Sequence, residues 1–307
     1  MHKEFLMGNA AIALGAVAAG VNVVAGYPGT PSTEVLETIA KHRPDDVYVE
    51  WSVNEKAAME LAAGASYAGA RSMVTMKQVG LNVASDPLMS LEYVGIKGGM
   101  VILVADDPGP ISSQTEQDTR HFSRFSKLPC FDPSSAQEAY EMIQEAFEYS
   151  EKYGTPVFLR PTTRVCHGYA SIMVKDETEY THHQPEGFIK DSKRWVIFPR
   201  LSFMNHKKIE ARNQELSDIF SSYEKNTIHP SCDAFKDSKK GIATGGISYT
   251  YTMETLKKTG MVKTLKIATP HPFPEKLAVD FLSGLDEVLC LEELDPVIER
   301  ELIYICG

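Results

Sequence analysis

The chain has 307 residues, 43% hydrophobic and 23% charged, with a formal net charge of −10. That length suits about two domains, and an acidic balance argues against nucleic acid as a partner, which calls for a basic stripe. The five cysteines (Cys130, Cys166, Cys232, Cys290 and Cys306) are scattered, with no C-x-x-C for zinc or a local iron–sulfur motif, so the expected compartment is a reducing cytoplasm.

The apolar run 10–26 is too short and too glycine-broken for a membrane span. It lacks a charged leader, since Glu4 offsets Lys3, and it runs into Gly26-Tyr27-Pro28-Gly29, which is no cleavage site. It reads as a helix over 8–19 and a strand over 21–25. A tight loop, 26–32, follows, with Thr30 suited to an N-cap and Pro31 to the first helical position. Val47, Val49, Trp51 and Val53 alternate with polar residues, which predicts a strand. The small-residue helix from Ala57 onward follows it, with Glu55 at the junction. Further strands are expected at 72–76, 100–105, 128–131 and 156–160, with a strong helix at 135–153. Alternation of this kind implies a doubly wound parallel sheet. Residues 168–239 lose the alternation and read as a connecting segment, with an exposed amphipathic helix at 203–223. From 240 a compact βαβαβα unit runs to 307. The expected division is therefore 1–167, 168–239 and 240–307. No internal repeat occurs.

Polar side chains gather at the expected strand ends. Glu55 has two readings. Ser52-Val53-Asn54-Glu55 fits a capping box, in which Glu55 reaches back to the Ser52 amide. Alternatively Glu55 is a buried carboxylate facing a ligand at the sheet edge, where open α/β folds bind them. Locally the cap is the simpler reading. Thr30 opens a helix whose free amides suit an anion. Lys77, Gln78 and Asn82 follow another strand, and three such strand ends point to one shared cleft. Arg120 suits a bidentate clamp on a carboxylate, whereas His121 reads as a surface histidine. Asp106 and Asp107 are adjacent and point opposite ways along a strand, so they read as turn residues rather than metal ligands, and no metal-ligating residue is assigned. P-loop, G-x-G-x-x-G and G-x-S-x-G motifs are absent.

Four stretches together carry a resemblance: Gly26-Tyr27-Pro28-Gly29-Thr30-Pro31-Ser32; Val49-Glu50-Trp51-Ser52-Val53-Asn54-Glu55-Lys56; Met76-Lys77-Gln78-Val79-Gly80-Leu81-Asn82; and Ala105-Asp106-Asp107-Pro108-Gly109-Pro110 with Ser113-Gln114-Thr115-Glu116-Gln117-Asp118-Thr119-Arg120. In this order they resemble the alpha subunits of indolepyruvate:ferredoxin oxidoreductase, among the thiamine-diphosphate-dependent 2-oxoacid:ferredoxin oxidoreductases. Leu291-Glu292-Glu293-Leu294-Asp295-Pro296 extends the likeness toward the end of the chain. The resemblance implies a pyrimidine-binding-like domain and a smaller transketolase C-terminal-like domain. It implies that Glu55 hydrogen-bonds N1′ of the cofactor's aminopyrimidine, that Gly29, Gln78, Gly80 and Asn82 line the cofactor, and that Thr30 and Arg120 hold the substrate carboxylate.

The G-D-G…N metal motif and the cysteine-rich ferredoxin-like clusters of such subunits do not occur in these residues. Mg²⁺, the diphosphate and the 4Fe-4S centres are therefore expected on other segments or a partner chain, alongside a beta subunit, ferredoxin, a 2-oxoacid and coenzyme A, with no membrane involved. Two alternatives stay open: a non-catalytic assembly subunit, and a thiamine-dependent decarboxylase subunit without electron transfer.

Overall fold

The strand–helix alternation builds a six-stranded sheet. In the computed structural model, which describes Met1–Gly307, this part of the chain runs through β1 (His2–Met7), α1 (Gly8–Ala18), β2 (Val23–Gly26), α2 (Thr33–His42), β3 (Tyr48–Trp51), α3 (Glu55–Tyr67), β4 (Ser72–Lys77), α4 (Gln78–Val94), β5 (Met100–Ala105), α5 (Thr119–Ser126), β6 (Cys130–Phe131), α6 (Ala136–Tyr153) and β7 (Val157–Leu159), with β2 to β7 forming the sheet. The strand order is β3-β2-β4-β5-β7-β6, and every pair is parallel. Strand β5 shows why both faces are covered. Val101 and Leu103 pack with Ile12, Ile39 and Phe147 from α1, α2 and α6, while Ile102 and Val104 pack with Met59, Leu81 and Leu88 from α3 and α4. Successive side chains point to opposite faces, so a strand buried on both sides reads as one continuous apolar run. This is the doubly wound sheet that the alternation implied.

The chain continues through α7 (Thr163–His167), β8 (Tyr169–Val174), α8 (Ser192–Trp195), α9 (Pro199–Phe220), β9 (Thr227–His229), β10 (Lys240–Gly245), α10 (Gly246–Thr259), β11 (Lys263–Ile267), α11 (Glu275–Leu282), β12 (Glu287–Leu291) and α12 (Val297–Cys306). Strands β12-β10-β11-β9 form a second sheet, in which β9 alone runs antiparallel. Strand β8 pairs antiparallel with β1, from Met7 opposite Tyr169 to His2 opposite Val174. The stretch read as connecting thus lends a strand to each of two sheets. Their partners lie far away in sequence, so no local pattern displays the pairing. Helix α9 starts at Pro199, ahead of the expected 203, and is not merely exposed: Ile209, Leu216 and Phe220 are buried, and the Phe220 ring meets Phe131 at 5.7 Å.

The smaller unit docks on the segment after β6. The amides of Cys130 and Asp132 donate to the His271 and Ala268 carbonyls at 2.7 and 2.8 Å. Thr250 Oγ1 donates to the Ser134 carbonyl at 2.7 Å. No helix is long and apolar enough to cross a membrane.

Candidate cofactor site at the carboxyl edge of the sheet

Strand β2 is flanked by β3 on one side and β4 on the other, so the chain winds outward to β3 and then returns across β2 to β4. Open α/β sheets bind ligands in the crevice at such a switch point, beyond the carboxyl ends of the strands. The loop after β2, the start of α3 and the start of α4 all lie at that edge.

The loop after β2 is closed by its own residues. The Ser32 amide donates to the Gly29 carbonyl at 2.9 Å, and the Gly29 amide donates to Thr33 Oγ1 at 2.9 Å. Helix α2 therefore begins at Thr33 with Ser32 in the cap position. The expected Thr30 cap and Pro31 first position do not form, because the Ser32 amide that a Thr30 cap would take is spent on the Gly29 carbonyl. Thr30 is left half-buried in the turn, without a capping bond. A Cβ on Gly29 would sit 3.0 Å from Lys77 Cγ, so this loop and the start of α4 are in close approach.

At the end of β3 the capping box does not form. Asn54 caps α3, its Oδ1 accepting from the Ala57 amide at 2.9 Å, and Ser52 Oγ donates to Glu50 Oε1 at 3.0 Å. Asn54 wins because it stands directly before the first helical residue, where a side-chain oxygen reaches the third amide. Glu55 is that first residue. It is 9% exposed, and its carboxylate is not used by the cap. The positive end of the helix dipole favours a negative charge there. Gly80 leaves the space the carboxylate occupies: a Cβ at that position would lie 2.5 Å from Glu55 Oε1.

Helix α4 follows β4 without a loop. Gln78, 1% exposed, donates from Nε2 to the Thr115 carbonyl at 3.2 Å, and its buried Oε1 has no partner. Asn82 is exposed and donates to Gln117 Oε1 at 3.1 Å, while Lys77 Nζ donates to Gln114 Oε1 at 3.2 Å. The loop after β5 is thereby strapped across the start of α4. Asp107 shapes this loop, its Oδ2 accepting from the Ile111, Ser112 and Ser113 amides at 3.1, 2.8 and 2.9 Å. Burial works against its charge, but those amides and the Thr163 hydroxyl hold the carboxyl below its ordinary value. Glu55, Gly29, Gln78, Gly80 and Asn82 thus share one edge. Gln114, Thr115 and Gln117 join them from a loop in which the sequence reading assigned roles to none of them.

Arg120 does not join them. It is 2% exposed and spends its donors inside the protein: Nε and Nη2 on Asp118, Nη1 on Glu292 at 2.7 Å, and Nη2 also on the Glu293 and Asp295 carbonyls at 2.7 and 2.9 Å. A clamp on a substrate carboxylate needs a free fork. This one instead pins the large unit to the turn after β12. His121 is partly exposed, as its surface reading implied, and meets Asp295 at 2.9 Å. Asp106 is no mere turn residue. It is fully buried and accepts from Arg160 Nε at 2.6 Å and from the Thr119 amide at 3.0 Å.

Arg160, at the end of β7, also pairs with Asp132 at 3.3 Å and approaches Asp118 at 3.7 Å. Burial pushes Asp132 up to about 6 despite Arg160 and Arg120. Burial likewise works against the Asp118 charge, but there the two guanidiniums prevail and hold it at about 2. The sequence reading passed over Arg160; its one signal was a cation closing a wholly apolar strand.

A doubly wound parallel sheet followed by a smaller α/β unit is the architecture of a thiamine-diphosphate pyrimidine-binding domain joined to a transketolase C-terminal-like domain. The solved structures bear this out as a fold. A 2-oxoglutarate:ferredoxin oxidoreductase from Magnetococcus marinus superposes with a TM-score of 0.80 at 18% identity, over 98% of this chain and 60% of that one. A split-gene transketolase superposes at 0.61 with 15% identity, over 97% of this chain and 83% of that one.

The chain belongs to the pyruvate flavodoxin/ferredoxin oxidoreductase family, whose thiamine-diphosphate-binding model matches residues 14–230. Indolepyruvate oxidoreductase subunit IorA of Methanothermobacter thermautotrophicus is 43% identical over 310 residues, covering 99% of this chain and 49% of that protein. The chain spans about half the length of these curated IorA relatives.

Proposed function

We propose that this chain supplies the aminopyrimidine-binding half of a thiamine-diphosphate site in a 2-oxoacid:ferredoxin oxidoreductase acting on arylpyruvates such as indolepyruvate. The observation that carries the reading is Glu55: a buried carboxylate at a switch-point crevice, released from capping by Asn54 and given its space by Gly80. The unpartnered Gln78 Oε1 at the same sheet edge is a second buried acceptor suited to a ring amine.

When bound, thiamine diphosphate supplies the carbon nucleophile for the 2-oxo carbonyl and a sink for the electrons of decarboxylation. Glu55 would set its carboxyl against the ring nitrogen, a task that its buried place at the crevice suits. Gly29 and Gly80 keep the crevice open, Gln78 and Asn82 line its floor and rim, and Thr30 offers its hydroxyl to the substrate carboxylate. The whole enzyme converts a 2-oxoacid and coenzyme A to acyl-CoA, carbon dioxide, a proton and two electrons, which pass to ferredoxin. Mg²⁺, the diphosphate contacts and the iron–sulfur centres come from other segments or a partner chain, in a heteromeric cytoplasmic complex. Arg120 has no part in substrate binding in this proposal, because its donors are spent on Asp118, Glu292 and two carbonyls.

The test is reconstitution with the segments that bear the diphosphate and iron–sulfur sites, followed by ferredoxin reduction with indolepyruvate and coenzyme A. Glu55→Gln should lower kcat about 10²–10⁴-fold, the span of a lost acid–base group, with the melting temperature held. Undiminished reduction by that variant would remove Glu55 from the chemistry.

A further inference from the structure

A second polar cavity lies at the opposite end of the six-stranded sheet. It adjoins Gly95 and Gly154, which close α4 and α6 ahead of β5 and β7, whereas the candidate cofactor site follows the carboxyl ends of β2, β3 and β4. Its volume is about 420 Å³, within the range of small-molecule sites. Its far wall comes from Asp191, α8 and α9, so it forms only where the connecting stretch folds back over the sheet.

Two buried polar atoms in its lining have no partner: Glu92 Oε2 and Tyr153 Oη. Glu92 is 3% exposed, and its other oxygen takes a bond from Arg212 Nη2 at 2.9 Å. Burial pushes the Glu92 carboxyl up to about 8 in spite of Arg212. A carboxyl oxygen and a phenol, each unpaired in the wall of one cavity, suit the edge of a heterocycle that offers donors and acceptors.

The lining also carries four cations, Lys193, Arg194, Lys208 and Arg212, against Glu92 and Asp191. Arg212 is committed to Glu92 and the Lys127 carbonyl, and Arg194 donates to the Ile96 carbonyl at 2.6 Å while lying over Trp195. Lys193 and Lys208 are exposed. Two helix carboxyl ends add roughly half a negative charge each. The balance still favours an anion.

We propose that this cavity binds a phosphate-bearing small molecule of nucleotide size. Its phosphates lie toward Lys193 and Lys208, and its ring edge lies on Glu92 and Tyr153. The site is separate from the cofactor crevice and does not depend on the function proposed for it.

Calorimetric titration of the 307-residue chain with ADP tests this. Saturable binding is expected, weakened at least tenfold in a Lys193→Ala/Lys208→Ala chain and unchanged in Glu55→Gln. Adenosine, which lacks the phosphates, should bind at least tenfold more weakly than ADP. Absence of saturable heat, ADP binding indifferent to the lysine pair, or adenosine binding as well as ADP would each overturn the proposal. The lysines are exposed, so the double variant folds, and a melting curve verifies that independently. Glu92→Gln in the folded chain should weaken ADP without altering competition by inorganic phosphate. Equal ADP affinity in that variant would remove the ring-edge assignment.

Discussion

Two groups of polar side chains gather near the same edge of the large sheet. Around Arg160 and Arg120, the carboxylates of Asp106, Asp118, Asp132 and Glu292 meet guanidinium donors, and the group ties the two units together. Around Glu55, the cap is supplied by a neighbour, Gln78 keeps an unpartnered oxygen, and glycines stand where side chains would fill the space. Both groups look alike in sequence, as polar residues after apolar strands. Of the two guanidiniums only Arg160 Nη2 lacks a hydrogen bond; a nearly saturated cluster of this kind does structural work, and an unsaturated one keeps its capacity for something that is not the protein.

The sharpest way to break this contrast is to remove the hub of the saturated group. Arg160→Met leaves two buried carboxylates without their cation and should cost about 3–5 kcal/mol of stability by denaturant titration. A loss below about 1 kcal/mol would mean the group is not the structural joint described here. In the unsaturated group the effect should fall on turnover. Gly80→Ala drives a methyl against the Glu55 carboxylate, which can move aside. The reconstituted enzyme should lose about a hundredfold in kcat through displacement of a reacting group, while unfolding shifts by under ~1 kcal/mol.

A pH series separates the groups more finely. The Asp118 carboxyl is held at about 2 against its ordinary 3.8. A depressed folded value means that its stabilisation is present above the ordinary value and is lost as pH falls through the folded one. About 2 kcal/mol should disappear between roughly pH 4 and 2, and Asp118→Asn should flatten that part of the acid unfolding curve. The smallest effect sharpens the assignment of Glu55. Asn54→Ala should cost about 1 kcal/mol as a lost N-cap, and Ser52→Ala no more than a few tenths. The reverse order in thermal unfolding would restore the capping box and return Glu55 to a local role.

Much of the fold was legible in the chain. The continuous apolar run Met100–Ala105 and the alternation around it imposed a parallel sheet covered on both faces. The positions of Glu55, Gln78 and Thr30 at strand ends followed from the same reading. What the chain concealed was the pairing of distant polar groups. Arg120 reads as a free clamp until Glu292 and the carbonyls of Glu293 and Asp295 arrive from the other unit. Ser52 reads as a cap until Glu50 and Asn54 settle which oxygen reaches which amide.

By itself the sequence determined the α/β class, the strand ends that carry polar chemistry, and the motifs that place the chain in its family. Strand alternation and turn composition are short-range, and a motif is a string. Only the tertiary structure decided which polar groups were satisfied. It paired β1 with β8, brought β9 to β11, set Arg120 against Glu292 and left Glu55 outside its own cap. A hydrogen bond or ion pair depends on positions within a few ångströms, and residues far apart in the chain reach those positions only through folding.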